Sequence, residues 1–232
     1  MTFVTPNEVS TLIFIGILVF IFFGLVAGTY FSSVNRDKNK ELTLKFAGGL
    51  TLWLGLVSGV VASKVLEASP FPGLLIFFLV VIGVSLGAAL SPVGRWFALG
   101  LPLPLLIAFQ GFRLPLEILL HSWAEHGSIP YSMTWSGSNF DVFSGILALF
   151  LAPFTEKSRP LAWFTNTIGL VLLLNVMRIA IFSSPFPFAW PVEPPLQLGF
   201  HLPYALIVPL CIGGALFDHV VVIRKMLKSP AA

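Results

Sequence analysis

The chain has 232 residues, of which 56% are hydrophobic and only 10% charged, and its mean hydropathy is +0.94. A soluble domain carries about 25% charged residues, so this composition excludes a soluble globular fold and assigns the chain to a bilayer. The net charge of +3 follows from where the basic loops lie and implies no nucleic-acid partner, and the single cysteine, Cys211, excludes a disulfide framework or a CxxC metal clip.

A helix needs about 20 predominantly apolar residues to cross the hydrocarbon core. Seven runs bounded by charge, proline or glycine meet that description: 11–31, 46–66, 71–90, 97–121, 140–154, 161–182 and 200–223. The first has no Lys or Arg before it and no small-residue cleavage pattern after it, so it reads as a retained helix rather than a secretion signal. The fifth is short for a span and fits a tilted segment or a thinned bilayer, but the connectivity needs it to cross.

Alternating the loops across the membrane puts Arg36, Lys38, Lys40, Lys45, Arg95, Lys157, Arg159, Arg224, Lys225 and Lys228 on one side, ten of the thirteen basic residues. The positive-inside rule makes that face cytoplasmic, with the N-terminus outside and the C-terminus inside. Six or eight helices would scatter these charges. Trp123, Tyr131, Trp135 and Trp190 then fall in the outer connections, with Trp96 and Trp163 near the inner boundary. The expectation is one all-α domain, 1–232: a seven-helix bundle in an inner (cytoplasmic) membrane, with the lipid bilayer as its partner. The longest outer connections are 122–139 and 183–199, and the second, rich in proline, reads as a stiff extended cover.

Lys64 can snorkel from the outer end of the second run. Arg113 and Arg178 fall inside predicted spans, where a charge costs about 2.5–3.5 kcal/mol and usually faces the bundle interior with a partner. On the fourth run Gln110, Arg113, Glu117 and His121 are spaced by three, four and four residues, which places them in one stripe roughly 80° wide. Pro115 frees a carbonyl beside that stripe. The stripe reads as a ligand or proton-relay site, or as an Arg113–Glu117 pair that neutralises itself. Ser138 and Asp141 resemble a capping box at the start of the fifth run, and Asn139 and Asp141 sit where the polar groups converge. Asp141 is a candidate partner for Arg113 or Arg178.

On the sixth run Asn175 and Arg178 share one face at the depth of Arg113, while Asn166, nearer the inner end, suits an interhelical hydrogen bond. His201 and Tyr204 open the seventh run on the outer side. Asp218 and His219 read as an interface pair at the inner boundary. A metal at Glu117, His121 and His201 is a weak alternative, because no HExxH or paired ExxH occurs and the arginines disfavour a dication. No cofactor is implied: the seventh run has no lysine for a retinal Schiff base before Lys225, and no phosphate loop, GxSxG elbow or dinucleotide fingerprint is present.

The run Phe112–Glu117, the segment Gly137–Asp141, and Asn175 followed by Ser184-Pro185-Phe186-Pro187 resemble an uncharacterised family of small bacterial polytopic membrane proteins. The likeness covers roughly the C-terminal half. It implies a bacterial multi-pass protein and carries no activity, ligand or site with it.

Three functions fit these features. The first is binding or transport of a small anionic or zwitterionic ligand, with Gln110, Arg113, Glu117, His121, Asn139, Asp141, Asn175, Arg178, His201 and Tyr204 around it. No inverted repeat supports transport, although short chains also form pathways as oligomers. The second is a membrane-embedded enzyme acting on a lipid or isoprenoid head group, using Glu117 or His121 as acid or base. The third is a structural or sensory subunit of a membrane complex.

Overall fold

The computed structural model describes residues 3–32, 34 and 38–228, so Arg36 lies outside the described residues. All regular elements among them are helical. Six helices are long and apolar enough to cross a membrane: α1 (Glu8–Phe31), α2 (Asn39–Ala62), α3 (Pro70–Leu90), α4 (Leu103–Glu125), α6 (Arg159–Ser183) and α7 (Tyr204–Lys228). Between α4 and α6 lies a shorter apolar helix, α5 (Val142–Phe154), and a short helix, Pro92–Gly100, joins α3 to α4.

The helix ends follow local chemistry. Asn7 caps α1 by accepting a hydrogen bond from the Ser10 amide (2.8 Å), and Glu8 complements the positive end of the helix dipole. Where α1 stops, Asn39 Nδ2 donates to the carbonyls of Tyr30 and Ser32, both at 2.8 Å, satisfying acceptors that the helix end leaves free. Ser91 and Ser158 cap the short helix and α6. Prolines locally rewind two helices. A 3-10 turn at Gln110–Phe112 precedes Pro115 in α4, and Pro209 lies in a π-helical stretch, Ile207–Ile212, of α7.

Successive helices run in alternating directions. At one end, Trp123 Nε1 in α4 donates to Ser10 Oγ in α1 (3.0 Å), and the hydroxyls of Thr11 and Tyr204 lie 2.8 Å apart. At the other end Arg159 donates to the Met226 carbonyl, Arg224 to Ala89 and Ser91, and Lys225 to Ala98. This second end also carries Lys38, Lys40, Lys45, Arg95, Lys157 and Lys228 and is termed the basic end below; the first is the distal end.

The C-terminal helix is the axis of the bundle. Of its most apolar window 83% is buried, against 11% for α2, which rests chiefly on α1 and turns most of its surface outward. A helix apolar all round is a buried one, whereas α2, apolar with little burial, has the surface expected of a lipid-facing helix.

The short fifth helix has a structural reason. At 1.5 Å per residue α5 covers only ~20 Å of a ~30 Å hydrocarbon core. The remaining depth is filled by the preceding connection, in which Ser128, Ile129, Met133, Thr134 and Asn139 are all buried. Its backbone is satisfied internally: the Ser128 amide donates to Trp123 (2.8 Å), and the amides of Gly137 and Asn139 donate to Thr134 (2.9 and 3.1 Å). Irregular backbone is tolerated at such depth where protein surrounds it or it lines a cavity. The helix therefore begins near the middle of the bundle rather than at its surface.

Candidate functional site

Arg113 stands ten residues into α4, ~15 Å from the basic end, and its neighbours come from the start of α5 and the middle of α6 and α7. Its Nε donates to Asp141 Oδ2 at 2.6 Å, Nη2 forms an ion pair with Asp141 Oδ1, and Nη1 donates to the Gly169 carbonyl of α6 at 3.0 Å. The same Nη1 lies 3.3 Å from His219 Nε2 of α7. Arg113 is 2% exposed and Asp141 4%, so the pair is dry and two-pronged, the geometry in which a buried ion pair recovers its desolvation cost.

Side chains from α5, α6 and the connection before α5 hold this pair in place. Asp141 is the N-cap residue of α5, and its carboxylate also accepts from Ser144 Oγ (2.8 Å), while its amide donates to Asn139 Oδ1 (3.0 Å). Its anionic charge sits at the positive end of the α5 dipole. The capping-box expectation for Ser138 is thus replaced: its carbonyl accepts from Asn175 Nδ2 at 2.8 Å and its amide donates to the Ser132 carbonyl. His219 Nδ1 lies 2.9 Å from Asn166 Oδ1, the interhelical role foreseen for that asparagine.

Glu117, one turn along α4 from Arg113, is 1% exposed. Asn139 Nδ2 lies 2.9 Å from both of its carboxylate oxygens and also donates to the Met133 carbonyl at 3.0 Å. Among the described residues no cation forms an ion pair with Glu117. Gln110, on the same face, belongs to a neighbouring pair: its Nε2 donates to Asp218 Oδ2 at 2.7 Å and to the Ala215 carbonyl at 3.2 Å.

Arg113, Glu117, Asp141 and Ser184 form the polar part of the wall of a chamber of about 80 Å³, lined otherwise by apolar side chains of α3, α4, α6 and α7 together with Met133. Its distal side is closed by Phe186, Leu196, Leu198 and Gly199 of the proline-rich connection. That cover is tied down by backbone bonds from Trp190 to Phe182 and from Leu196 to Ser183, each 2.7 Å, and by Trp190 stacked on Phe182. With one water needing about 10–15 Å³ on this measure, the chamber holds several waters or one small organic group.

The remaining predicted residues lie elsewhere. His121 is half-buried, stacked on Trp135 with ring centroids 4.1 Å apart, and its Nε2 lies 3.6 Å from Glu125. Arg178 is exposed, donates to Asn175 Oδ1 at 2.9 Å and places its guanidinium 5.4 Å from the Trp190 ring centroid, so the pair clamps the cover from outside. His201 stacks on Phe3 with centroids 4.2 Å apart, and Tyr204 joins Thr11, Phe14 and Trp123. Burial holds the His201 imidazole below its ordinary range, with Glu67 acting weakly against it and Lys64 with it. Glu117, His121 and His201 therefore do not converge, and among the described residues no group of three or more His, Cys, Asp or Glu side chains is placed to hold a metal.

Three participants were not in the predicted set. Asp218 and His219, expected at the inner boundary, are buried in the middle of α7, which continues to Lys228 instead of ending at 223. Gly169 takes part through its carbonyl and its lack of a side chain, since a Cβ there would come within 2.7 Å of the His219 ring. No family model, curated protein or solved structure matches the chain.

Proposed function

We propose that the protein is a multi-pass inner-membrane protein, N-terminus outside and C-terminus cytoplasmic, that binds a small zwitterionic, amine-bearing ligand in the chamber at the middle of the bundle. The observation that carries this reading is Glu117, a buried carboxylate on the wall of a mostly apolar chamber with no cationic partner among the described residues. Arg113 is already matched by Asp141, and Arg178, the other arginine expected within a span, stands outside the chamber. The wall thus carries one arginine, paired with Asp141, and a second carboxyl group, Glu117, without such a partner. That balance favours an ammonium group beside Glu117 over a purely anionic ligand, and the apolar walls suit a small hydrocarbon body.

A buried charge needs a partner, and a ligand ammonium supplies one. The Arg113 guanidinium on the same wall orients the ligand's anionic end. The proline-rich cover, held by local hydrogen bonds and ring stacking, is the element that would have to move for exchange with the distal side.

Native mass spectrometry of gently purified protein tests the reading, comparing wild type, Glu117→Gln and Arg178→Ala. The expected result is an amine-containing small-molecule adduct on wild type and Arg178→Ala, reduced at least about tenfold in Glu117→Gln, since loss of a buried charged contact costs 1.4 kcal/mol or more. An adduct that survives Glu117→Gln, or the absence of any adduct after incubation with millimolar glycine betaine, would overturn it.

A further inference from the structure

A second cavity, of about 460 Å³, opens between α2, α3, the short helix Pro92–Gly100 and α7, and shares no lining residue with the chamber. Its apolar wall includes Phe46 and Trp53 of α2, Val84 of α3, Trp96 of the short helix and Phe217 of α7. It exists because α2 leans on α1 and leaves its flank toward α7 unfilled. An engineered apolar cavity of about 150 Å³ already admits benzene, so this one has room for a length of hydrocarbon chain.

Two further features mark the occupant. The cavity lies at the basic end: Lys45 is part of its wall, exposed Arg95 lies beside Trp96 on the short helix, and Arg224 donates to the carbonyls of Ala89 and Ser91 next to the lining residues Ala88 and Ser91. Glu41, 2.5 Å from Lys45 Nζ and likewise exposed, is the acidic group at this rim. Inside, the Trp96 ring is part of the wall and is 9% exposed.

We infer that this cavity binds an anionic glycerophospholipid. One acyl chain lies between α2 and α7 along the Trp53 and Trp96 rings, and the head group is held by Lys45 with Arg95 and Arg224 nearby. The net positive rim repels the basic end of a second copy of this chain and attracts an anionic head group, at about 1 kcal/mol per basic residue. The inference stands apart from the chamber and its ligand.

Quenching of tryptophan fluorescence by brominated lipid tests it, because Trp53 and Trp96 line the cavity. The full chain is placed in phosphatidylcholine vesicles containing a low mole fraction of either dibrominated phosphatidylglycerol or dibrominated phosphatidylcholine. The wild type is expected to be quenched several-fold more efficiently by the brominated phosphatidylglycerol. Gly49 lines the cavity and Gly48 does not, and a Cβ added at either meets no heavy atom within 4 Å. Gly49→Phe, which fills the space, is expected to abolish the preference, and Gly48→Phe to keep it. Lys45→Glu, which leaves the space open, is expected to lose the preference for the anionic lipid while retaining ordinary quenching. Equal quenching by the two lipids in wild type, or a preference that survives Gly49→Phe, overturns the inference. If Gly49→Phe does not fold, a preference unchanged in Lys45→Glu overturns it.

Discussion

Arg113 and Asp141 illustrate why a buried ion pair is costly to break and cheap to replace. Removing one partner leaves the other charge desolvated and alone, so Arg113→Met or Asp141→Leu is expected to destabilise the protein by about 3–5 kcal/mol, read as a large drop in thermal unfolding temperature in detergent. The double variant should recover much of that loss, because it removes both desolvation penalties together. A double variant no more stable than the worse single one would mean that the pair's contacts to Gly169, Ser144 and His219 dominate. At the distal end, burial pushes the His201 imidazole below its ordinary range, and the ring stacks on Phe3. Its folded-state pKa lies below the unfolded one, so its contribution is complete above the unfolded value near 6.5 and is lost as pH falls through the folded value. The protection factor of amides in the first turn of α1, which is exchange corrected for its intrinsic pH dependence, is therefore expected to fall on acidification in wild type and to stay flat in His201→Phe. The polar stripe Gln110, Arg113 and Glu117 was legible because helical period and the cost of intramembrane charge both act on sequence directly. The partner of Arg113 was legible only as one of two, since which carboxylate meets it depends on how the connection before α5 folds inward.

Among elements, α4 and α5 meet through Gly145, where an added Cβ would lie 2.4 Å from the Leu114 amide nitrogen. Gly48 on α2 faces open space. The same substitution should therefore have opposite signs at the two positions. Gly48→Ala is expected to be neutral or stabilising by up to about 1 kcal/mol from helix propensity alone. Gly145→Ala forces the two helices apart beside Asp141 and is expected to cost about 1–3 kcal/mol. Thermal unfolding of both variants decides the matter: equal shifts would mean that α5 does not press on α4 as closely as the backbone separation requires. Hydropathy marks 140–154 as apolar and short, which is where the sequence signal stops, because the rest of that crossing is made by Ser128, Thr134, Asn139 and their turns, a polar stretch that reads as a surface loop until its backbone bonds are seen. The displacement of Asp218 and His219 from the predicted boundary has a similar origin. Ending the last run at 223 placed them near its edge, whereas Arg224 and Lys225 are neutralised by carbonyls of neighbouring helix ends and let α7 continue to Lys228.

At the scale of the whole molecule, the six long helices and α5 alternate in direction, so every basic residue that favours the cytoplasm falls at one end of the described bundle. Charge asymmetry then predicts the basic end inside. The test turns on α5, since six crossings would leave Glu125 and Lys157 on one side, while a crossing shared between the buried connection and α5 puts them on opposite sides. Both side chains are exposed, and Cys211 is buried and can be replaced by alanine to give a cysteine-free background. Glu125→Cys is expected to react with a membrane-impermeant maleimide in intact cells, and Lys157→Cys only after permeabilisation. Labelling of both from the same side would show that α5 and its connection turn back within the bilayer. That outcome is incompatible with Arg224 and Lys225 reaching Ala89, Ser91 and Ala98 at the basic end, and would overturn the alternating order of the helices.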